Sequence, residues 1–151
     1  SGGKLFAAGT AGERFAVRNS GSTAVVEGVG DNACEYMTGG VVLILGRTGV
    51  NFAAGMTGGF AYVFDRFGHF HRRVNTELVD TQKIDSPAHQ RYLKGLIEEH
   101  LAETSSEHAK MLLADFENWI DCFVLIKPKS VSVSDLLKLE QSQPELTVVV
   151  G

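Results

Sequence analysis

"TGGVVLILGRTGVNFAAGMTGGFAYVFD", residues 38–65, holds seven glycines and says nearly the same thing twice. Thr38-Gly39-Gly40 precedes the apolar run VVLIL, and nineteen residues later Thr57-Gly58-Gly59 precedes FAYVF. The phrasing extends back to the first residue. Gly2, Gly21, Gly39 and Gly58 are spaced by 19, 18 and 19 residues. Gly9, Gly28 and Gly46 are spaced by 19 and 18, with Asp65 in the next equivalent place. Gly12, Gly30 and Gly49 are spaced by 18 and 19. A hydroxyl residue (Ser1, Ser20, Thr38, Thr57) stands before each glycine of the first series. Self-similarity at a fixed short period is the signature of a repeat architecture.

Columns of the aligned repeats identify the unit. Leu5, Ala24, Val42 and Ala61 form one apolar column, and Ala7, Val26, Ile44 and Val63 form another two residues on. The flanking columns vary: Lys4, Thr23, Val41, Phe60, and Ala8, Glu27, Leu45, Phe64. A period of two within a five-residue run is a strand with one face turned inward. A second short column, Ala16, Cys34 and Ala53, stacks likewise. One such unit cannot bury its inward face alone, so neighbours stack as parallel strands around a continuous core. The spacing predicts a mainly β protein, a parallel β-helix. A glycine-rich β-sandwich is the alternative, but sandwiches do not repeat residue by residue. The glycines are expected at corners, where positive φ or close backbone approach excludes a Cβ.

Composition changes near residue 66, since 14 of the 17 glycines come before it. We read coils over 1–65, a connector over 66–85 and a helical extension over 86–151 that packs on the solenoid. Ser86-Pro87 is a helix start, a capping hydroxyl followed by proline at the first helical position. Leu93, Leu96, Ile97 and Leu101 give its apolar stripe. Thr104 with Glu107 has the capping-box pattern for a second helix, whose stripe runs Ala109, Leu112, Leu113, Phe116, Trp119, Ile120, Phe123. Pro128 stops that helix or the strand-like CFVLI that trails it. Ser134-Asp135 is expected to cap a short helix, DLLKLEQ. The outward side chains Leu43, Leu45, Phe60 and Phe64 require cover, which the helices supply.

Several functions are excluded or reduced. A net charge of −4 argues against a general nucleic-acid binder. No apolar run reaches the length of a membrane span, and no secretory signal opens the chain. Cys34 and Cys122, without CxxC spacing, fit a reducing cytoplasm. VVEGVGDNA, residues 25–33, places Gly28-x-Gly30-x-x-Ala33 after an apolar run, but a dinucleotide fingerprint needs a helix there and CEYMTGG leaves no room for one. GRTG, residues 46–49, lacks the Gly-Lys-Ser/Thr of a phosphate loop. His69 and His71 have no third ligand near them in a cationic RFGHFHRR segment and read as a solvated turn. His89, His100 and His108 fall on predicted helices, at exposed or boundary positions. Asp31, Glu35 and Arg47 are the only cluster that could act as solenoid catalytic carboxylates with a basic partner, and they read as solvated corner residues.

The whole pattern resembles a known family. The segment from GGKLFAAG to GGFAYVFD is similar to the C-terminal glycine-repeat domain of the glutamate synthase large subunit. RRVNTELVD, YLKGLIEEHLAETSS and FVLIKPKS resemble the tail that follows it. A subunit of formylmethanofuran dehydrogenase is a weaker relative that shares the repeat but not the tail. The resemblance implies a right-handed parallel β-helix with a structural role. In the family it holds the glutaminase and synthase domains around an ammonia channel, while FMN, an iron–sulfur cluster and electrons from NADPH or ferredoxin serve chemistry elsewhere. No catalytic, cofactor-binding or metal-binding residue is carried over, and the chain alone is expected not to be an enzyme. The family's glutaminase nucleophile is an N-terminal cysteine, whereas this chain begins with Ser1. Two thiols 88 residues apart do not make a cubane site. The alternative function is a free-standing β-helix scaffold subunit of another oxidoreductase. The chain reads as a fragment whose first coil, Ser1 to Gly9, has no cap, so that Leu5 and Ala7 lack neighbours on one side and self-association as a two-fold dimer is expected.

Overall fold

The computed structural model describes residues 3–140 and 146–150; Ser1 and Gly2, the first members of their repeat series, lie outside the described residues. Four strands form the stacked sheet: β1 (Gly3–Ala7), β2 (Ser20–Gly28), β3 (Thr38–Arg47) and β4 (Gly58–Phe64). All pair in parallel with their sequence neighbours, with Leu5 beside Ala24, Ala24 beside Val42 and Val42 beside Ala61. The chain is a β-solenoid of about three turns carrying a partly helical C-terminal region.

Each coil returns through a second wall opposite the sheet. Hydrogen bonds between these walls run from coil to coil, for example Cys34 N–H to Phe15 O at 2.8 Å and Ala53 N–H to Ala33 O at 2.9 Å. The space between sheet and second wall is filled by Val26, Val42, Ile44, Ala61 and Val63 against Cys34, Ala53, Phe52 and Met56. The walls have an unusual backbone. Arg14, Ala16 and Arg18 have positive φ, as do Asn32, Cys34 and Tyr36 in the next coil and Asn51, Ala53 and Gly55 in the third. Eight of these nine are not glycine, although a left-handed conformation costs an ordinary residue about 1–2 kcal/mol. The inter-coil hydrogen bonds hold them there.

Residues 66–85 join the stack. Phe52 exchanges hydrogen bonds with Arg73 O and Asn75 N, so the chain around Val74 forms a further piece of second wall. Phe70 and Val79 are buried in the inner core. Strand β5 (Val79–Lys83) follows, and α1 (Pro87–Thr104) starts where Ser86 Oγ accepts the His89 N–H.

The second helix differs from the expectation in both its start and its length. Thr104 is the last residue of α1 and its hydroxyl donates to His100 O. Ser105 turns the chain with φ +58°, and Ser106 caps α2 (Glu107–Ala114) by accepting the Ala109 N–H. At Asp115 the helix breaks, because its carboxylate and carbonyl are taken by Asn118 in a local turn. α3 (Phe116–Trp119) and one 3-10 turn lead into β6 (Phe123–Pro128), so Phe123 is a strand residue. The last helix, α4 (Val133–Glu140), begins two residues earlier than Asp135, with Ser132 Oγ accepting the Asp135 N–H.

With a last described strand, β7 (Leu146–Val150), the sheet order is β5-β6-β4-β3-β2-β1-β7. The C-terminal end of the stack is therefore closed by β6 and β5, both antiparallel at their contacts, and not by helices. The helices instead cover the outer face of the sheet, where Phe6, Val25, Leu43, Leu45, Phe60, Tyr62 and Phe64 meet Leu93, Leu96, Ile97 and Leu112. The expected open edge at the first coil is also corrected: β7 (Leu146–Val150) pairs in parallel with β1, Leu5 beside Val148 and Ala7 beside Val150. An edge strand's free N–H and C=O groups are satisfied by the chain's own C-terminal strand.

Candidate functional site

The repeat glycines face in one direction. A Cβ placed on Gly39 would lie 2.6 Å from Ser20 O, and one on Gly30 would lie 3.0 Å from Glu13 N. On Gly46 it would strike Glu27 O, on Gly49 Asp31, and on Gly58 Thr38 O; on Gly28 it would crowd Thr10. Each neighbour belongs to the preceding coil. These six glycines serve close approach, and none of them has positive φ; in the two Thr-Gly-Gly stretches it is the second glycine, Gly40 and Gly59, that does. Register also differs from simple column alignment. Gly39 sits beside Ser20 and Gly58 beside Thr38, while Gly28 sits beside Arg47, which leaves Gly46 in a bulge. Gly21 lies in a second irregularity, where its N–H donates to Asn19 Oδ1. The bulges absorb the difference between 18- and 19-residue coils.

Gly9 and Gly12 belong to the same two series, yet among the described residues a Cβ on either would meet nothing within 4 Å. The first coil thus presents a surface shaped like those that receive backbone elsewhere in the stack. Beside it Ala11, Phe15 and Ala16 are only partly buried against the inner core.

The outer face of the sheet carries polar groups that each find a helical partner. Lys4 Nζ donates to both carboxylate oxygens of Glu99 at 3.0 Å. Glu27 Oε2 accepts from Ser106 Oγ at 2.6 Å and from His100 Nε2 at 2.8 Å. His108 Nε2 donates to Leu45 O. Tyr62 and Val133 clamp His89: a carbonyl can only accept, so Nε2 donates to Val133 O at 2.8 Å and Nδ1 accepts the Tyr62 hydroxyl at 2.6 Å. His108 is half-buried, at a boundary position as expected, but His89 and His100 are fully buried. Their side chains point at the sheet and fasten helices to strands.

Burial pushes the Glu27 carboxyl up, but the hydrogen bonds from Ser106 and His100, with the nearby His100 and His108 rings, outweigh it and hold the group below its ordinary value. For His89 burial dominates and lowers the value despite the Val133 bond. Glu27, His100 and Ser106 do not form a hydrolytic triad. The serine donates to the carboxylate and not to the imidazole, and the buried His100 Nδ1 has no partner among the described residues. The arrangement does structural work, joining the α1–α2 junction to β2.

The other sequence candidates are dispersed. Asp31 Oδ1 accepts the Val50 N–H at 2.8 Å, Glu35 lies 3.8 Å from Arg14, and Arg47 is exposed with neither. The residues after Gly30 form second wall and not a helix. His69 stands at the N-cap of a single 3-10 turn, Phe70–Arg72, and His71 lies within it. Among the described residues no group of three His, Cys, Asp or Glu side chains could hold a metal ion. The donor set does not fit an iron–sulfur cluster, because the only two thiols are unpaired and Cys34 lies fully inside the core, where burial pushes its thiol pKa up. Among the same residues no helix is long and apolar enough to cross a membrane. Sequence reasoning missed the Asn32–Asn51–Asn75 ladder, with Asn51 donating to Asn32 at 2.9 Å and Asn75 to Asn51 at 3.1 Å; the 19-residue spacing of the first two was the available signal.

The GXGXG motif profile matches residues 1–129. The chain is 49% identical over 144 residues to an NADH glutamate synthase of Schizosaccharomyces pombe, covering 93% of this chain and 7% of that protein. It is 52% identical over 130 residues to a ferredoxin-dependent glutamate synthase of Pyropia yezoensis, covering 86% and 8%. A chloroplastic ferredoxin-dependent glutamate synthase of Spinacia oleracea is 49% identical over 130 residues, with the same coverage of 86% and 8%. The chain thus spans less than a tenth of the length of these relatives. With repeat, tail and solenoid in agreement, the chain belongs to the GXGXG motif family, as the glycine-repeat domain of the glutamate synthase large subunit.

Proposed function

We propose that this chain is a structural, interdomain-contact domain of a glutamate synthase and has no catalytic role by itself. The parent enzyme would transfer the amide nitrogen of glutamine to 2-oxoglutarate. The observation that carries the reading is the first-coil face, where a Cβ on Gly9 or Gly12 would meet nothing within 4 Å among the described residues. Every later glycine of those series meets backbone or side chain of a neighbouring coil. A face kept smooth in this way suits packing against further parts of the same polypeptide, including its glutaminase and synthase domains. FMN, the iron–sulfur cluster and the electron source, NADH, NADPH or ferredoxin, belong to those other parts. Two unpaired thiols suit a reducing compartment such as the cytoplasm.

The test is reconstitution. The parent polypeptide lacking this region is mixed with the purified chain, and complex formation and glutamine-dependent glutamate synthesis are measured. Binding with restored coupling between the two half-reactions is the expected result. Full coupled activity without the chain, or glutamine hydrolysis by the chain alone, would refute the assignment.

A further inference from the structure

A cavity of about 470 Å³ opens where the end of β3 and the end of β4 meet the turn after β4. Its lining joins the His108 anchor and Leu45 to Phe64 of the outer cluster and Val63 and Phe70 of the inner core. Its floor is apolar and includes Phe64 and Phe70, both buried. Its walls are cationic, with Arg47, Arg66 and Arg73 supported by the His69 and His108 rings.

The single carboxylate in the lining, Asp65, is already engaged. Its two oxygens accept the N–H groups of His69 at 3.0 Å and Phe70 at 3.2 Å. Among the described residues no carboxylate lies within ion-pair distance of the three arginines. Arg73 is held in place by a hydrogen bond from its guanidinium to Thr48 O. The Arg66 guanidinium rests 5.2 Å from the Trp119 ring centre and 5.7 Å from that of Phe67. Phe67, a large aromatic that is 76% exposed, forms the lip. All this occurs in a chain of net charge −4, so the concentration of positive charge is local and runs against the whole.

Guanidiniums that line an apolar cavity without a carboxylate partner among the described residues are complementary to an anion that carries an apolar body. The volume lies within the range of small-molecule sites, about 300–1,000 Å³, and exceeds what a bare phosphate fills. We propose that this cavity is a binding site for a small organic anion, a phosphate or carboxylate on a planar or aliphatic body. The arginines take the charge, and Phe64 and Phe67 take the body.

Trp119 is the only tryptophan, and Arg66 lies on its ring, so an anion that draws Arg66 inward alters its fluorescence. The full chain is titrated with phenyl phosphate, benzoate, inorganic phosphate and benzyl alcohol, with calorimetry as a second readout. Saturable binding of phenyl phosphate or benzoate, at least about tenfold tighter than of inorganic phosphate or benzyl alcohol, is expected. Whichever of the two aromatic anions binds more tightly identifies the head group. Arg47→Ala and Arg73→Ala, each checked for intact folding by circular dichroism, should weaken binding about tenfold or more. Absence of saturation by both readouts, equal affinity for phenyl phosphate and inorganic phosphate, or unchanged affinity in both folded variants would overturn the proposal. So would an acidic peptide that binds at least ten times more tightly than either aromatic anion, since the face would then receive protein.

Discussion

Glu27 on β2 and His100 on α1 meet through a 2.8 Å hydrogen bond, 73 residues apart in sequence, and Ser106 completes the contact from the cap of α2. The outward column that contains Glu27 is otherwise Ala8, Leu45 and Phe64, so a carboxylate here is tolerated only because the helices supply donors. Its folded-state pKa is lowered, so its contribution is present above the ordinary value of 4.5 and is lost as pH falls through the folded value. His89 is also lowered, so it favours folding above 6.5 and opposes it progressively as pH falls below. Denaturant unfolding as a function of pH should show two stages of weakening, the first below about 6.5 and the second below about 4.5. Glu27→Gln should cost about 1–3 kcal/mol at pH 7, the scale of hydrogen bonds to a charged group, and the deficit should shrink below pH 4.5. A deficit independent of pH would mean that the charge contributes nothing.

The glycines divide into two groups that alanine distinguishes. Gly46→Ala and Gly58→Ala drive a methyl into backbone carbonyls of the preceding coil, which neither wall can vacate without breaking inter-coil hydrogen bonds. Each should cost more than about 2 kcal/mol or yield insoluble protein. Gly12→Ala meets open space and should change thermal stability by no more than about 0.5 kcal/mol in the isolated chain. Equal effects at Gly12 and Gly58 would show that the coils tolerate separation.

Stacking was legible in the sequence because identical spacing forces identical geometry: Leu5, Ala24, Val42 and Ala61 align without any knowledge of the fold. The backbone of the second wall was not. Ala16, Cys34, Tyr36 and Ala53 are residues that rarely adopt positive φ, so nothing in their type announces it. The glycines announced either positive φ or close backbone approach at the corners, and most repeat glycines turn out to serve close approach. The break at Asp115 was hidden because Phe116, Trp119 and Ile120 keep a helical rhythm across it and still pack on the same cluster. The polar anchors on the outer face were hidden for another reason. A histidine that faces a strand 73 residues away leaves no local pattern.

Ile44 tests the inner core. It is fully buried between the sheet and the second wall. Ile44→Asp would place a carboxylate there without a partner, at a cost of several kcal/mol or with its pKa driven upward. Unfolded or insoluble protein is expected. Arg47→Ala, three residues on and exposed, should shift stability by about 0.5 kcal/mol or less. Equal melting temperatures for Ile44→Asp and the unmodified chain would contradict the packing described.

The pairing of β7 with β1 makes the last prediction. β1 has β2 on one side and β7 on the other. β1, paired on both sides, offers no edge for a second molecule, and the outer edge of the sheet on that side is β7. Self-association through β1 is therefore not expected of the whole chain, in contrast to what an uncapped first coil implies. Truncation after Glu140 removes β7 and uncovers five residues of strand from Gly3 to Ala7. Light scattering at several concentrations should then report association of the truncated form and none of the full chain through this edge. Amide exchange separates this effect from unfolding. Amides of Val42 and Ile44 in the central strand should stay protected in both forms, while those of β1 exchange faster in truncated protein held dilute. Unchanged exchange at β1, together with a monomer at every concentration, would mean that β7 contributes nothing to closing the stack.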